Sequence, residues 1–246
     1  MKKLVLLFAL PLLLMGSNQN SMTPEYILKR VDENMYSKTK IMESTMIIHG
    51  KRGDRSITSK GYTEGNDKAF TEYLSPARER GTKMLKLKDN LWIYSPSTDR
   101  TIQISGHMLK QSVMGSDLSY EDMMEDRKLL DLYSAKNLGK DTINGREAFL
   151  LQLDAKVPDV SYVKRKTWID AKYFVPLKEE LYAKSGQMLK RITLSDVKKV
   201  GTKYYPHKMN YKDMLSSGKG TDFVVKSIQI NPAIPPHIFT KASLKK

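Results

Sequence analysis

The chain has 246 residues, no cysteine and a formal charge of +15, from 42 Lys and Arg against 27 Asp and Glu. Without cysteine there is no disulfide, no thiolate metal site and no lipidated N-terminal cysteine, so the protein is not itself a lipoprotein. A spanning helix needs roughly 20 apolar residues in a row, and no run in this sequence reaches that length.

Taken in order, residues 1–17 read as a secretory signal peptide. Lys2 and Lys3 form a positive start, residues 4–15 are apolar apart from Pro11, and Gly16 and Ser17 are small enough to sit at a cleavage point. Export without disulfides points to a periplasm and makes nucleic acid an unsuitable partner. No Pro-, Gly- or Ser-rich linker divides residues 18–246, which are expected to form a single domain. With the leader removed the charge is +13, carried by scattered Lys rather than by a cluster. That pattern favours solvated surface charge over a dedicated basic face, although it would suit an anionic membrane surface.

Thr23-Pro24-Glu25 opens a helix, with Thr23 as cap and Pro24 at the first helical position. Tyr26, Ile27, Val31 and Met35 are its expected buried face. From Lys40 onward short β-like runs follow at 44–49, 56–62, 68–74, 84–87 and 91–94, separated by turn signals. They resume at 138–141, 148–153, 163–170, 177–183, 188–195, 208–213 and 222–230. Strands at such spacing with tight turns predict an antiparallel meander, as a barrel or a sandwich. The tail 231–236, with three prolines, cannot pair as a central strand and reads as an extended cover leading to a short element at 239–244.

Between 106 and 134 the meander pauses. There Gly115 allows a positive φ, Ser119 is placed to cap a helix, and Glu121 and Asp122 suit its first turn. Tyr120, Met123, Met124 and Leu130 would then form an apolar stripe on a helix of about three turns. Asp117, Glu121, Asp122, Glu125 and Asp126 make an acidic cluster without the D-x-D-x-D-G spacing of a calcium loop. A solvated helix start is the expectation for them.

Catalytic chemistry finds no foothold. His49, His107, His207 and His237 are dispersed, with no HExxH or His-x-His spacing. Ser-x-x-Lys occurs five times among 21 Ser and 32 Lys, against about two or three expected by chance, and Lys184-Ser185-Gly186 follows Lys164 too closely for a penicillin-recognising fold. Ser217-Gly218-Lys219-Gly220 lies between strands, as a hairpin turn does and a phosphate cradle does not. No catalytic, metal-binding or cofactor-binding residue is assigned. Apolar binding remains, since 12 Met follow the leader and Met adapts to irregular apolar shapes.

The segment Met114-Gly115-Ser116-Asp117-Leu118-Ser119-Tyr120-Glu121-Asp122-Met123 resembles a motif of the outer-membrane lipoprotein-sorting protein family, of LolA type. So does the cadence of the second half: Trp168-Ile169-Asp170, Pro176-Leu177-Lys178, 186–190, Pro206 with Met209, Thr221, Ile234-Pro235, Phe239-Thr240 and Leu244. The resemblance implies a mainly β (α+β) fold, an incomplete and strongly curved antiparallel β-barrel with a few covering helices. It implies a concave apolar groove and a lid, for which Trp92, Tyr94, Met114, Tyr120, Met123, Met124, Phe149 and Trp168 are the candidates. The implied cargo is the acyl chains of lipoproteins or other lipids, carried by a monomer between an inner-membrane transporter and an outer-membrane acceptor. The alternative is a periplasmic sensor or adaptor that binds a protein partner through basic surface, or a companion of a membrane exporter.

Overall fold

A computed structural model describes residues 22–245; the expected signal peptide lies outside them. Helix α1, Pro24–Met35, starts as its sequence dictates, with the Thr23 hydroxyl accepting the Tyr26 N–H at 3.2 Å and Pro24 in the first turn. Its buried face differs from the expected one by a small rotation. Leu28 is buried beside Ile27 and Val31, whereas Tyr26 is 43% exposed.

Two meanders follow. The first comprises β1 (Thr39–Gly50), β2 (Gly53–Glu64), β3 (Lys68–Ser75), β4 (Lys83–Leu87), β5 (Asn90–Ser95) and β6 (Arg100–Ile104). The second comprises β7 (Tyr133–Ile143), β8 (Arg146–Ala155), β9 (Lys164–Asp170), β10 (Pro176–Tyr182), β11 (Met188–Val200), β12 (Lys203–Asp213) and β13 (Thr221–Ile230). Sequence reading missed β6, whose five residues hold only two apolar side chains between Arg100, Thr101 and Gln103. The strands form one antiparallel sheet in the order β6-β5-β4-β3-β2-β1-β13-β12-β11-β10-β9-β8-β7.

That order has a strong consequence. Because β1 pairs with β13, the meanders join at the sheet centre and leave β6 and β7 at opposite edges. The chain between them, residues 105–132, therefore runs from one edge of the sheet to the other. Lys86 on β4 and Lys190 on β11 stand six places apart in the order, about 29 Å on a flat sheet with ~4.8 Å between strands. Both are met by acids only four residues apart in the crossing segment, Asp126 and Asp122. The sheet is an open, curved one that curls towards this segment, as in an incomplete barrel.

Side-chain alternation then divides the apolar residues between two faces. The inner face carries Leu151, Leu153 and Ile169 beneath α1, then Ile192, Leu194, Met209 and Val225, then Met46, Ile57, Met84, Leu91 and Ile104. Met35 and Phe223 each pack against two of these groups, so the inner core is continuous. On the outer face the tail lays Phe239 and Leu244 over Phe70 and Leu85, through the 3₁₀ turns Pro236–Phe239 and Lys241–Leu244. The extended cover expected of the tail is thus present, on the convex side.

Candidate functional site

The crossing segment is a strap over the inner face. It contains 3₁₀ turns at Gly106–Lys110 and Val113–Gly115, helix α2 (Tyr120–Met124) and helix α3 (Leu129–Leu132). Gly115 has the expected positive φ of 74°, and Met114 beside it also lies in the left-handed region at 54°. Ser119 caps α2 as expected and does so reciprocally. Its hydroxyl accepts the Asp122 N–H at 3.1 Å, and the Asp122 carboxylate accepts the Ser119 N–H at 2.8 Å.

The single helix of three turns does not form. After Met124 the chain leaves helical geometry at Glu125, with ψ at 96°. The freed Met124 carbonyl accepts from the Lys86 ammonium at 2.6 Å, and the same ammonium meets Asp126 at 2.9 Å. Arg127 then pairs with Glu125 at 2.7 Å and with Asp159 at 2.8 Å. Leu129 and Leu130 donate their N–H groups to the Asp32 carboxylate of α1, at 2.9 and 3.1 Å, which fixes the start of α3. These partners are remote in sequence, so no local pattern announces the break.

The apolar side of the strap faces the sheet. Met108, Leu109, Met114, Tyr120, Met123 and Met124 pack against Met46, Ile57, Tyr73, Met84, Leu91 and Ile104. Its polar side is a series of clasps. Asp117 accepts the Thr221 hydroxyl at 2.8 Å and the Asp213 N–H at 2.9 Å. Arg55 of β2 donates to the Met114 carbonyl. Asp122 accepts the Tyr162 hydroxyl at 2.6 Å and meets the Lys190 ammonium, with both members of that ion pair largely buried. The expectation of a solvated acidic cluster is therefore corrected: Asp117, Asp122, Glu125 and Asp126 each hold a separate point of the fold.

Electrostatics follow from that burial. Desolvation alone would raise the Asp122 carboxyl, but the Lys190 charge, with hydrogen bonds from Lys190, Tyr162 and Ser119, brings it below its ordinary value. Burial and the neighbouring Asp122 charge push the Tyr162 hydroxyl far up, so it stays protonated and donates. Around the strap lie a cavity of about 480 Å³ bordered by Ser119, Tyr162 and Lys190, and inner ones of about 250 and 180 Å³ that share Arg165, Ile192 and Tyr211. Among the described residues no group of His, Cys, Asp and Glu is arranged to hold a metal ion.

Of the expected groove residues, Met114, Tyr120, Met123 and Met124 come together on the strap's own apolar side, against the wall. Phe149 lies on the inner face at the far end, stacked on Phe174 with centroids 6.3 Å apart. Trp92, Tyr94 and Trp168 are on the opposite face. Trp92 pairs across the ladder with Leu85, while its neighbours Leu91 and Ile93 point inward; it and Tyr94 pack under the tail, with Lys241 4.2 Å from the Trp92 ring. Trp168 donates to Asp141 at 2.7 Å and packs on Val175 and Leu177. An aromatic on a strand says nothing about its face until the register is known. Sequence reading gave no site role to Arg55, Tyr162, Arg165 or Lys190, which gain one only from the strap.

A family model described as "Uncharacterized protein" matches residues 65–246. The chain belongs to that family, and its fold is LolA-like. No curated protein matches the sequence. A protein domain of Vibrio parahaemolyticus, named for outer membrane lipoprotein sorting, has 24% identity and a TM-score of 0.79 over 91% of this chain and 98% of its own. A DUF1329 family protein of Desulfovibrio piger has 21% identity and a TM-score of 0.80, covering 90% of this chain and 97% of its own. A LolA superfamily protein of Nitrosomonas europaea has 22% identity and a TM-score of 0.74, covering 91% and 100%. In the LolA-like frame, the strap is the connection between the two sheet edges, and the inner face is the concave wall it covers.

Proposed function

We propose that this protein is a periplasmic carrier that takes the acyl chains of lipoproteins or other lipids between its strap and the inner face of its sheet, and moves them towards the outer membrane. One observation carries the reading: six apolar strap side chains, four of them Met, lie on an apolar curved wall and are held there by separate polar clasps. Burying an acyl chain is worth about 0.8 kcal/mol per CH₂, so a long chain can replace the strap's own contacts. Helices of five and four residues have no stability of their own, so a lifted strap has little order to lose. Met side chains then fit chains of differing shape.

The LolA-like fold supports a carrier rather than an enzyme, and the leader-like residues 1–17 support export. An inner-membrane donor and an outer-membrane acceptor complete the route. The test is lipid extraction and mass spectrometry of protein purified from its native envelope, with displacement of a fluorescent fatty-acid probe. Bound acyl species and saturable displacement are expected. Absence of both overturns the carrier, and a salt-sensitive protein partner captured in their place would favour the adaptor.

A further inference from the structure

Three cations of the strap and the wall beneath it have carboxylate partners. Lys190 meets Asp122, Lys86 meets Asp126 at 2.9 Å, and Arg127 meets Glu125 at 2.7 Å. Arg165, on β9, has no carboxylate within 4.0 Å among the described residues. Its Nε donates to the Tyr133 hydroxyl at 3.0 Å, and its guanidinium carbon stands 4.9 Å from the Tyr133 ring and 5.8 Å from the Tyr162 ring. Its two terminal amino groups have no acceptor among the described residues.

Arg165 is half-buried and lines both inner cavities, of about 180 and 250 Å³. Leu129, Ile192, Leu194 and Met209 form the apolar wall of the larger one. Glu179 stands diagonally across the β9–β10 ladder, where Thr167 faces Glu179 and Arg165 faces Leu181. Its carboxylate accepts from the Thr167 hydroxyl at 3.4 Å and stays outside ion-pair distance of the guanidinium. The larger cavity is also lined by Lys40, Lys128 and Arg127 and by Asp32, Asp126 and Glu125, of which the three acids are engaged by α3, Lys86 and Arg127. Arg165 brings to its apolar wall parallel donors without an acceptor among the described residues, the geometry that a carboxylate accepts in bidentate fashion. Glu179 offsets part of the positive charge, which favours a head of one negative charge over a doubly charged phosphate monoester.

Resting on the carrier reading, we propose that Arg165 receives the carboxylate of an amphiphile whose acyl tail runs along Ile192, Leu194 and Met209. The preferred cargo is then a single-chain lipid with a free carboxylate, with the strap displaced where the tail outgrows the cavity.

The test compares displacement of a neutral fluorescent lipid probe from the full mature chain by palmitate, methyl palmitate and lysophosphatidic acid. Palmitate is expected to bind at least about tenfold more tightly than methyl palmitate, with lysophosphatidic acid between them. Arg165→Met abolishes the preference, whereas Arg165→Lys retains part of it. Acetate and inorganic phosphate, which carry charge without a tail, displace nothing at the same concentrations. Equal affinity for palmitate and its ester in the unaltered protein overturns the proposal while leaving the carrier intact, and needs no variant to fold. Tighter binding of lysophosphatidic acid than palmitate, or competition by the tailless anions, overturns the assignment of a carboxylate amphiphile. Binding of none of the three lipids overturns the carrier itself.

Discussion

Asp122 closes the cap of α2, accepts the Tyr162 hydroxyl and holds the Lys190 ammonium, so one carboxylate joins the strap to β11 and to the loop before β9. Removing its charge leaves Lys190 buried and unpaired. Asp122→Asn should therefore lose about 3 kcal/mol in urea denaturation. Adding Lys190→Met to the same chain should recover part of that loss, because no orphan ammonium remains; a further loss instead would show that the pair is not the source. The pH dependence has a definite sign. The folded pKa of Asp122 lies below its ordinary 3.8, so its stabilisation is present above the unfolded value of about 3.9 and disappears as pH falls through the lowered one. Acid below the ordinary carboxylate range should loosen the strap, and Asp122→Asn should remove that component of the acid transition. His49 has the opposite sign. Its ring nitrogens reach Asp54 at 2.9 Å and Asp222 at 3.4 Å, tying β1 to β2 and β13, and the hydrogen bond to Asp54 is the main cause of a pKa above the usual 6.5. Its contribution is full below 6.5 and is lost as pH rises through the raised value. Thermal melts between pH 5.5 and 9 should show that decline in the unaltered protein and a flatter profile in His49→Gln.

At the scale of elements, what the sequence revealed was whatever local chemistry decides. Thr23 and Ser119 cap helices, Gly115 takes a positive φ, and the strand runs recur as hairpins because those choices depend on near neighbours. The break between α2 and α3 was hidden, because Lys86 and Asp32, far away in the chain, take the backbone groups that a continuous helix would have used. Trp92, Tyr94 and Trp168 were misplaced for a related reason: alternation fixes that neighbours face opposite ways, but only pairing fixes which way is inward. Asp32 makes the first point testable. Asp32→Ala removes the acceptor at the start of α3 and should lower stability by about 1 kcal/mol in denaturant unfolding, the usual loss for a helix cap. Met123 and Met124 test the strap's apolar side. Both are partly exposed and pack on the wall below Tyr73 and Met84, so a Lys in either place can turn its ammonium to solvent while its stem keeps some packing. Met123→Lys and Met124→Lys should weaken a fluorescent fatty-acid probe about tenfold or more while moving the melting temperature by only a few degrees. Unfolding of both variants would show instead that these side chains are structural.

At the scale of the whole molecule, the pairing of β1 with β13 governs what the strap can do. No periodicity in the sequence announces that contact, which joins Ser44 to Val225 across most of the chain, yet it sends β6 and β7 to opposite edges. A lid hinged at one end could swing free, but this one is anchored at both, in β6 and in β7. It can only lift, and the apolar wall beneath it opens from the middle. The backbone bonds within it are local: short turn bonds such as Gln111 to Met108 and Met123 to Ser119, with Val113 donating to the Leu118 carbonyl at 2.8 Å and Tyr120 to that of Gln111 at 3.2 Å, whereas central strands such as β1 are paired on both sides. Local opening of such a segment has a lower free energy than global unfolding. Hydrogen exchange followed by mass spectrometry should therefore find residues 106–127 exchanging as one cooperative unit, faster than β1, β2 and β13. Asp122→Asn should accelerate that whole unit and leave the central strands unchanged. If α2 instead exchanged with the sheet, or its two flanks opened independently, lifting the strap would not be the motion that admits an acyl chain, and entry would have to occur past α1.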